Sequence, residues 1–146
     1  MGRRRKARED TLRILFRQEF DDQDIEETLA RYWAGRKADD QVREYSTWLT
    51  KGIISRLEVI DRIIQSVSEH WRISRMALID RNILRMAVFE LLLEKNIAPA
   101  VIINEAIEIA KKYSGDEAAT FVNGILDAVR KNIERFRKSL KEKNDG

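Results

Sequence analysis

The sequence predicts an all-α protein, a single compact domain of about seven helices. Three observations carry that expectation. The 146 residues contain one Pro and six Gly, with 36% charged residues, which suits helices with solvated faces better than a turn-rich sheet. Apolar residues recur at spacings of three and four along most of the chain. The stretch Asp80–Leu93, DRNILRMAVFELLL, is apolar on nearly every side once wound as a helix. Ile83, Leu84, Ala87, Val88 and Leu91 form one face, Met86, Phe89 and Leu93 a second, and Leu92 falls between Arg81 and Arg85. Such a helix is surrounded by other helices or by lipid. Its rise of only about 20 Å, with charged residues inside it, excludes lipid.

The remaining elements follow in order. Helix 1 opens on the basic run and buries Leu12, Leu15 and Phe16, with Lys6, Arg13 and Arg17 on the far side. Asp21-Asp22-Gln23-Asp24 ends it and caps helix 2, whose stripe is Ile25, Leu29, Tyr32 and Trp33 and whose stop is Gly35. Asp39 or Asp40 caps helix 3, with Val42, Tyr45, Leu49 and Ile53 inward. The stripe runs on through Leu57, Ile60, Ile64, Val67 and Trp71. An unbroken helix of that length would span about 45 Å, so a break near Ser55 is expected.

Asp80 is the expected N-cap of the central helix. Asn96-Ile97-Ala98-Pro99 is a turn, with Pro99 at the first position of a two-faced helix. Its apolar side is Ile102, Ile103, Ala106, Ile107, Ile109, Ala110 and Tyr113, and Glu108 and Lys112 are placed to pair across one turn. Ser114-Gly115 stops it, and Asp116 is expected to cap a last helix striped by Val122, Ile125, Leu126, Val129, Ile133 and Phe136. Residues 1–140 form the domain, and the end of the chain, KSLKEKNDG, frays, leaving 141–146 as a basic tail. Gly124 stands mid-helix at a cost of about 1 kcal/mol relative to Ala, which suggests a close neighbouring backbone.

Charge is unevenly placed. Residues 1–17 carry seven Lys/Arg against two acids, residues 130–146 seven against three, and the body between them is net acidic. Basic ends on an acidic body point to a polyanion, most often nucleic acid, with solubility as the plainer explanation. Phe121 lies off the stripe of its helix. Edge-of-core packing and a surface platform for base stacking are both open for it. Without Cys there is neither a disulfide nor thiolate chemistry, which fits the cytoplasm. The single His70, with no Cys or second His nearby, is read as structural, and no metal or other cofactor is expected. The basic start runs into Asp10 rather than an apolar segment, so no signal peptide is expected.

Four segments then carry a resemblance. Arg5-Lys6-Ala7-Arg8-Glu9, Asp80-Arg81-Asn82-Ile83-Leu84-Arg85, Ile103-Asn104-Glu105-Ala106-Ile107-Glu108 and Phe121-Val122-Asn123-Gly124-Ile125-Leu126-Asp127 resemble, in order and spacing, the transcription antitermination factor NusB family. Residues 20–75 carry little of that signature. The resemblance implies two small helical bundles in one domain. It also implies a cytoplasmic factor that binds a single-stranded boxA element of nascent ribosomal RNA with the ribosomal protein NusE. Other elongation factors and RNA polymerase would be engaged indirectly, and no membrane is involved.

By position, Arg3, Arg4, Arg5, Lys6 and Arg8 would contact phosphates and bases. Phe16, Tyr113, Glu117, Thr120 and Phe121 would border the same RNA, Thr120 standing where some relatives have a basic residue. Asp80 would face NusE. The competing class is a helical interaction module, a homodimer or a docking unit, whose basic ends only aid solubility. An enzyme is not expected. NusB-like domains also occur fused to RNA cytosine methyltransferases, but there is no Gly-rich phosphate loop here. Glu105 and Glu108 sit beside lysines on a face expected to be solvated.

Overall fold

A computed structural model describes the backbone of residues 2–145 and the side chains of residues 2–141. Among these residues every regular element is helical, and the helices fall into two compact units, residues 1–55 and 56–146. The first unit holds α1 (Arg3–Phe20), α2 (Ile25–Trp33) and α3 (Asp40–Ser55). The second holds α4 (Leu57–Val67), a 3-10 turn (Ile73–Arg75), α5 (Leu78–Leu93), α6 (Pro99–Tyr113), α7 (Asp116–Lys131) and α8 (Ile133–Asp145). No described helix is long and apolar enough to cross a membrane.

In the first unit, small residues let α1 and α3 approach closely. Ala7 and Thr11 are fully buried against the fully buried Ser46, and the Thr11 and Ser46 hydroxyls lie 2.8 Å apart. Ile14, Leu29 and Tyr32 close the core from the α2 side. Gly35 takes φ 74°, the left-handed turn expected after α2. The Asp39 carboxylate accepts the Gln41 N–H at 2.8 Å and so caps α3. Phe16 departs from expectation, being 52% exposed. The buried face of α1 centres on Ala7, Thr11 and Ile14, and Phe16 stands about 180° from Ala7.

The break between α3 and α4 falls where length argued for it, at Arg56, and it is also the boundary between the two units. In the second unit α5 is the central helix, packed on by α4, α6, α7 and α8. Every residue from Asn82 to Leu92 is buried, as the all-round apolar pattern requires. The helix starts earlier than expected, however. Ala77 is its N-cap, its carbonyl accepting the Arg81 N–H at 2.9 Å. Asp80 therefore sits within the first turn, where a negative charge still meets the positive end of the helix dipole.

Pro99 occupies the first turn of α6 as expected. Its C-terminal Tyr113 is 40% exposed rather than part of the apolar face, and Glu108 holds Lys111 at 3.7 Å. Gly115, at φ 111°, is the N-cap of α7, so Asp116 is its first residue and not its cap. The expected last helix is two, which makes eight α-helices among the described residues. Asn132 interrupts it with φ −118° and ψ 26° and donates from Nδ2 to the Ala128 carbonyl at 3.1 Å, the local competition that makes Asn a poor helix interior. Ile133 and Phe136 consequently belong to α8. Buried Phe136 and Leu140 anchor that helix, and its backbone stays helical to Asp145 where fraying was expected. The side chains of residues 142–146 lie outside the described residues. Gly124 faces open space, with no atom within 4 Å of an added Cβ. No neighbouring backbone accounts for it.

Candidate nucleic-acid interface

The basic run is helical from its first cation, because Arg3 opens α1. A helix spreads consecutive residues around its axis, so these cations separate in environment. Arg3, Arg4 and Lys6 are exposed and Arg5 is half-buried, whereas Arg8 is 2% exposed. Arg8 lies one turn along from Arg4 and beside buried Ala7, so the run does not present a single solvated row. Arg3 pairs with Asp39 at 3.2 Å and donates to Gln41 Oε1 at 2.9 Å. Arg4 places its guanidinium carbon 3.7 Å from the centre of the Tyr45 ring. Further along α1, exposed Phe16 and Phe20 stack with centroids 5.0 Å apart.

In the second unit, Glu117, Thr120 and Phe121 on α7 share one open concavity of about 640 Å³ with Asp80 on α5. The structure thus brings Asp80, expected on a separate partner-facing side, next to three of the residues expected to border RNA. One Asp80 oxygen, Oδ1, is enclosed without a hydrogen-bond partner. Phe121 is half-buried, its ring edge-on to Trp71 at 6.4 Å and 78°. It is an edge residue that still presents a face. The Thr120 hydroxyl donates to the Asp116 carbonyl at 3.1 Å, the usual back-bond of a helical threonine. Tyr113 is not among the residues lining the concavity, although its neighbour Ser114 is.

Among the lining residues that sequence reasoning missed, Trp71 and Arg75 bring an aromatic ring and a cation to this concavity. The helical stripe extrapolated Trp71 inward, but α4 ends at Val67 and Trp71 is 58% exposed. Gln65 shapes the intervening turn. Its Nε2 donates to the Ser68 and Trp71 carbonyls at 3.2 and 3.0 Å, and its Oε1 accepts the Ile73 N–H at 2.9 Å. The Ser68 hydroxyl also donates to the Trp71 carbonyl, at 3.0 Å. The polar triplet Ser68-Glu69-His70 was the available signal, since it interrupts the stripe just before Trp71. His70 itself is exposed in that turn.

Comparison with known proteins decides the family. The NusB family model matches residues 5–131. This chain belongs to the NusB family. A transcription antitermination protein NusB from Trichlorobacter lovleyi is 43% identical over 87% of this chain and 89% of its own length. One from Thermodesulfovibrio yellowstonii is 39% identical over 96% and 99%. The fold agrees with solved NusB structures. T. maritima NusB superposes with a TM-score of 0.82 at 37% identity, covering 97% of this chain and 98% of its own. A chain from a crystal structure of antitermination factors NusB and NusE in complex with dsRNA gives 0.78 at 29% identity, covering 90% and 98%. The all-helical NusB fold is therefore shared along nearly the whole chain.

Proposed function

We propose that this chain is a non-catalytic RNA-binding transcription antitermination factor that acts with the ribosomal protein NusE. Its target is boxA-type single-stranded RNA in nascent ribosomal transcripts, met in the cytoplasm as RNA polymerase and its elongation factors work. The observation that carries the reading is the exposed first turn of α1 in a NusB family member, with Arg3, Arg4 and Lys6 open to solvent. Cations placed there neutralise phosphates and release counterions, and that makes RNA affinity steeply salt-dependent. Phe121 supplies a ring face for base stacking, and Phe16, Tyr113, Glu117 and Thr120 border the RNA. Arg5 contributes from its half-buried position, and Arg8 reaches the same RNA only through what little of it is exposed. A NusB relative of the same fold has been crystallised with NusE and dsRNA, which supports NusE and RNA as the classes of partner. Asp80, in the first turn of α5, is the NusE-facing acid.

The second reading is a helical interaction module that self-associates or docks without touching RNA. It draws on the exposed Phe16–Phe20 pair, since aromatic side chains in solvent mark many protein interfaces. A titration of labelled boxA-type and scrambled RNA at two salt concentrations, with and without NusE, separates the two. The RNA reading expects tighter binding to the boxA-type strand, weakening with salt and strengthening with NusE. Equal, weak binding to both strands, with a dimer on gel filtration, would support the module.

A further inference from the structure

The first unit carries a second aromatic site that the functional reading does not use. Trp48 on α3 is 40% exposed, and its ring packs on Tyr45 with centroids 5.5 Å apart and planes tilted by 37°. The Arg4 guanidinium covers the Tyr45 ring, and Arg3 lies beside it. Together with Gln41 and Glu44 these residues line an open concavity of about 740 Å³, large enough for a nucleotide.

We infer that this concavity is a nucleotide subsite of the RNA surface, with a base stacked on Trp48 and its phosphate held by Arg3 and Arg4. The inference rests on the RNA-binding reading above and extends it to α3. Three features select a nucleotide over a protein segment. A tryptophan face beside a stacked guanidinium suits a planar base, because stacking needs a π-face and tolerates any base. Arg3 and Arg4 line the same concavity as the Trp48 ring, which puts cations within the site where a phosphate joined to that base would need them. Gln41 and Glu44 offer a side-chain amide and a carboxylate able to meet donors and acceptors on a base edge. The Arg3–Asp39 pair does not block the site. Both side chains are well exposed, at 63% and 41%, and such pairs exchange readily for a phosphate.

The test titrates fluorescein-labelled single-stranded RNA, a boxA-type element with single-stranded flanks, against full-length wild type, Trp48→Ala, Trp48→Phe and Phe121→Ala. Trp48→Ala should weaken binding roughly 5- to 150-fold with an unchanged salt slope, because stacking releases no ions. Trp48→Phe should keep most of the affinity, since a smaller π-face remains. Trp48→Phe should melt close to wild type, and Trp48→Ala somewhat lower but still cooperatively, since the ring it removes is more than half covered. RNA should quench tryptophan fluorescence strongly in wild type and less in Trp48→Phe. Wild-type affinity in Trp48→Ala beside a weakened Phe121→Ala would overturn the subsite and leave the RNA reading standing. A wild-type protein that binds neither boxA-type nor scrambled RNA would overturn both. Altered sedimentation of Trp48→Ala with RNA affinity intact would make Trp48 a contact between copies, and would equally overturn the subsite.

Discussion

Arg85 on α5 grips Asp61 on α4 through two parallel hydrogen bonds, Nε to Oδ1 and Nη2 to Oδ2, each 2.8 Å long. The Arg85 side chain is only 9% exposed, and its Nη1 also donates to Asn82 Oδ1 at 3.0 Å. A guanidinium buried in the central helix depends on this carboxylate, because losing one partner of a buried pair costs far more than the pair contributes net. Asp61→Ala should therefore destabilise the protein by about 3 kcal/mol in urea unfolding. The double change Asp61→Leu with Arg85→Met should recover most of that loss, since it removes both buried charges. A double variant less stable than Asp61→Ala would show that the pair itself, rather than the stranded charge, sets the cost.

Tyr32 offers a pH dependence in the first unit. Burial raises its hydroxyl pKa above the ordinary value, and its 2.6 Å hydrogen bond to Asp10 Oδ1 raises it further. The folded state thus holds the phenolic proton more tightly than the unfolded chain does. The associated stability is fully present below the unfolded pKa of about 10 and is lost as pH rises above it toward the folded value. Urea midpoints of wild type should fall more steeply above pH 10 than those of Tyr32→Phe. At neutral pH that variant should be less stable by about 1–2 kcal/mol, the cost of losing a hydrogen bond to a carboxylate. Parallel slopes for the two proteins above pH 10 would exclude Tyr32 as the source.

On the RNA-binding reading, the basic arm at the start of α1 acts through its charge. Replacing Arg5 and Lys6 with Ala keeps the start of α1 helical, since Ala is the best helix former. RNA affinity should drop, and its dependence on salt should become shallower by roughly 0.7 log unit for each phosphate of a single strand that is no longer neutralised. Titrations across a salt series measure this directly. An unchanged slope would mean that neither side chain meets a phosphate.

Asp80 is not a cap, so its charge can be removed with little structural consequence. Asp80→Asn keeps the shape while neutralising an oxygen that has no hydrogen-bond partner. The melting temperature should move little, while NusE affinity should fall roughly 10- to 100-fold, as expected for losing a charged hydrogen bond. A large stability loss with NusE binding intact would assign Asp80 to the fold.

Phe121→Ala separates stacking from packing. A half-buried ring should cost less stability than the roughly 3–5 kcal/mol of a fully enclosed phenylalanine. RNA binding should weaken by about 1–3 kcal/mol with the salt slope unchanged. Melting curves and RNA titrations on the same preparation check both halves. Normal RNA binding by a strongly destabilised variant would remove Phe121 from the site.

Much of the fold was legible because burial leaves a periodic trace. The all-round apolar stretch announced the central helix, Pro99 marked the start of α6, and Gly35 and Gly115 marked turns needing positive φ. The candidate site residues, the basic start, Asp80 and the Phe121 segment, were legible only as motifs of the family signature, with their roles left to the RNA and NusE titrations. Trp71 was not, because a hydrophobic residue at the right spacing reads as core whether or not the helix reaches it. Gln65 ends that reach through three hydrogen bonds, and these leave no periodic trace.

By itself, then, the sequence determined the all-helical class, the central position of α5 and the family, since each follows from local spacing or from motif order, while the break at Arg56 and the division of the last helix at Asn132 were left to the structure. Only the tertiary structure decided which cations of the basic run stay solvated, burying Arg8 while Arg3 and Arg4 remain exposed. It also turned Phe16 outward, brought Asp80 beside Phe121, and set Trp48 next to Arg4 through Tyr45. The physical reason is the same each time. Periodicity states that one face of a helix is buried, but where that face ends depends on the neighbour that packs against it. The width of α3 against α1, and of α7 against α5, is written in no single helix.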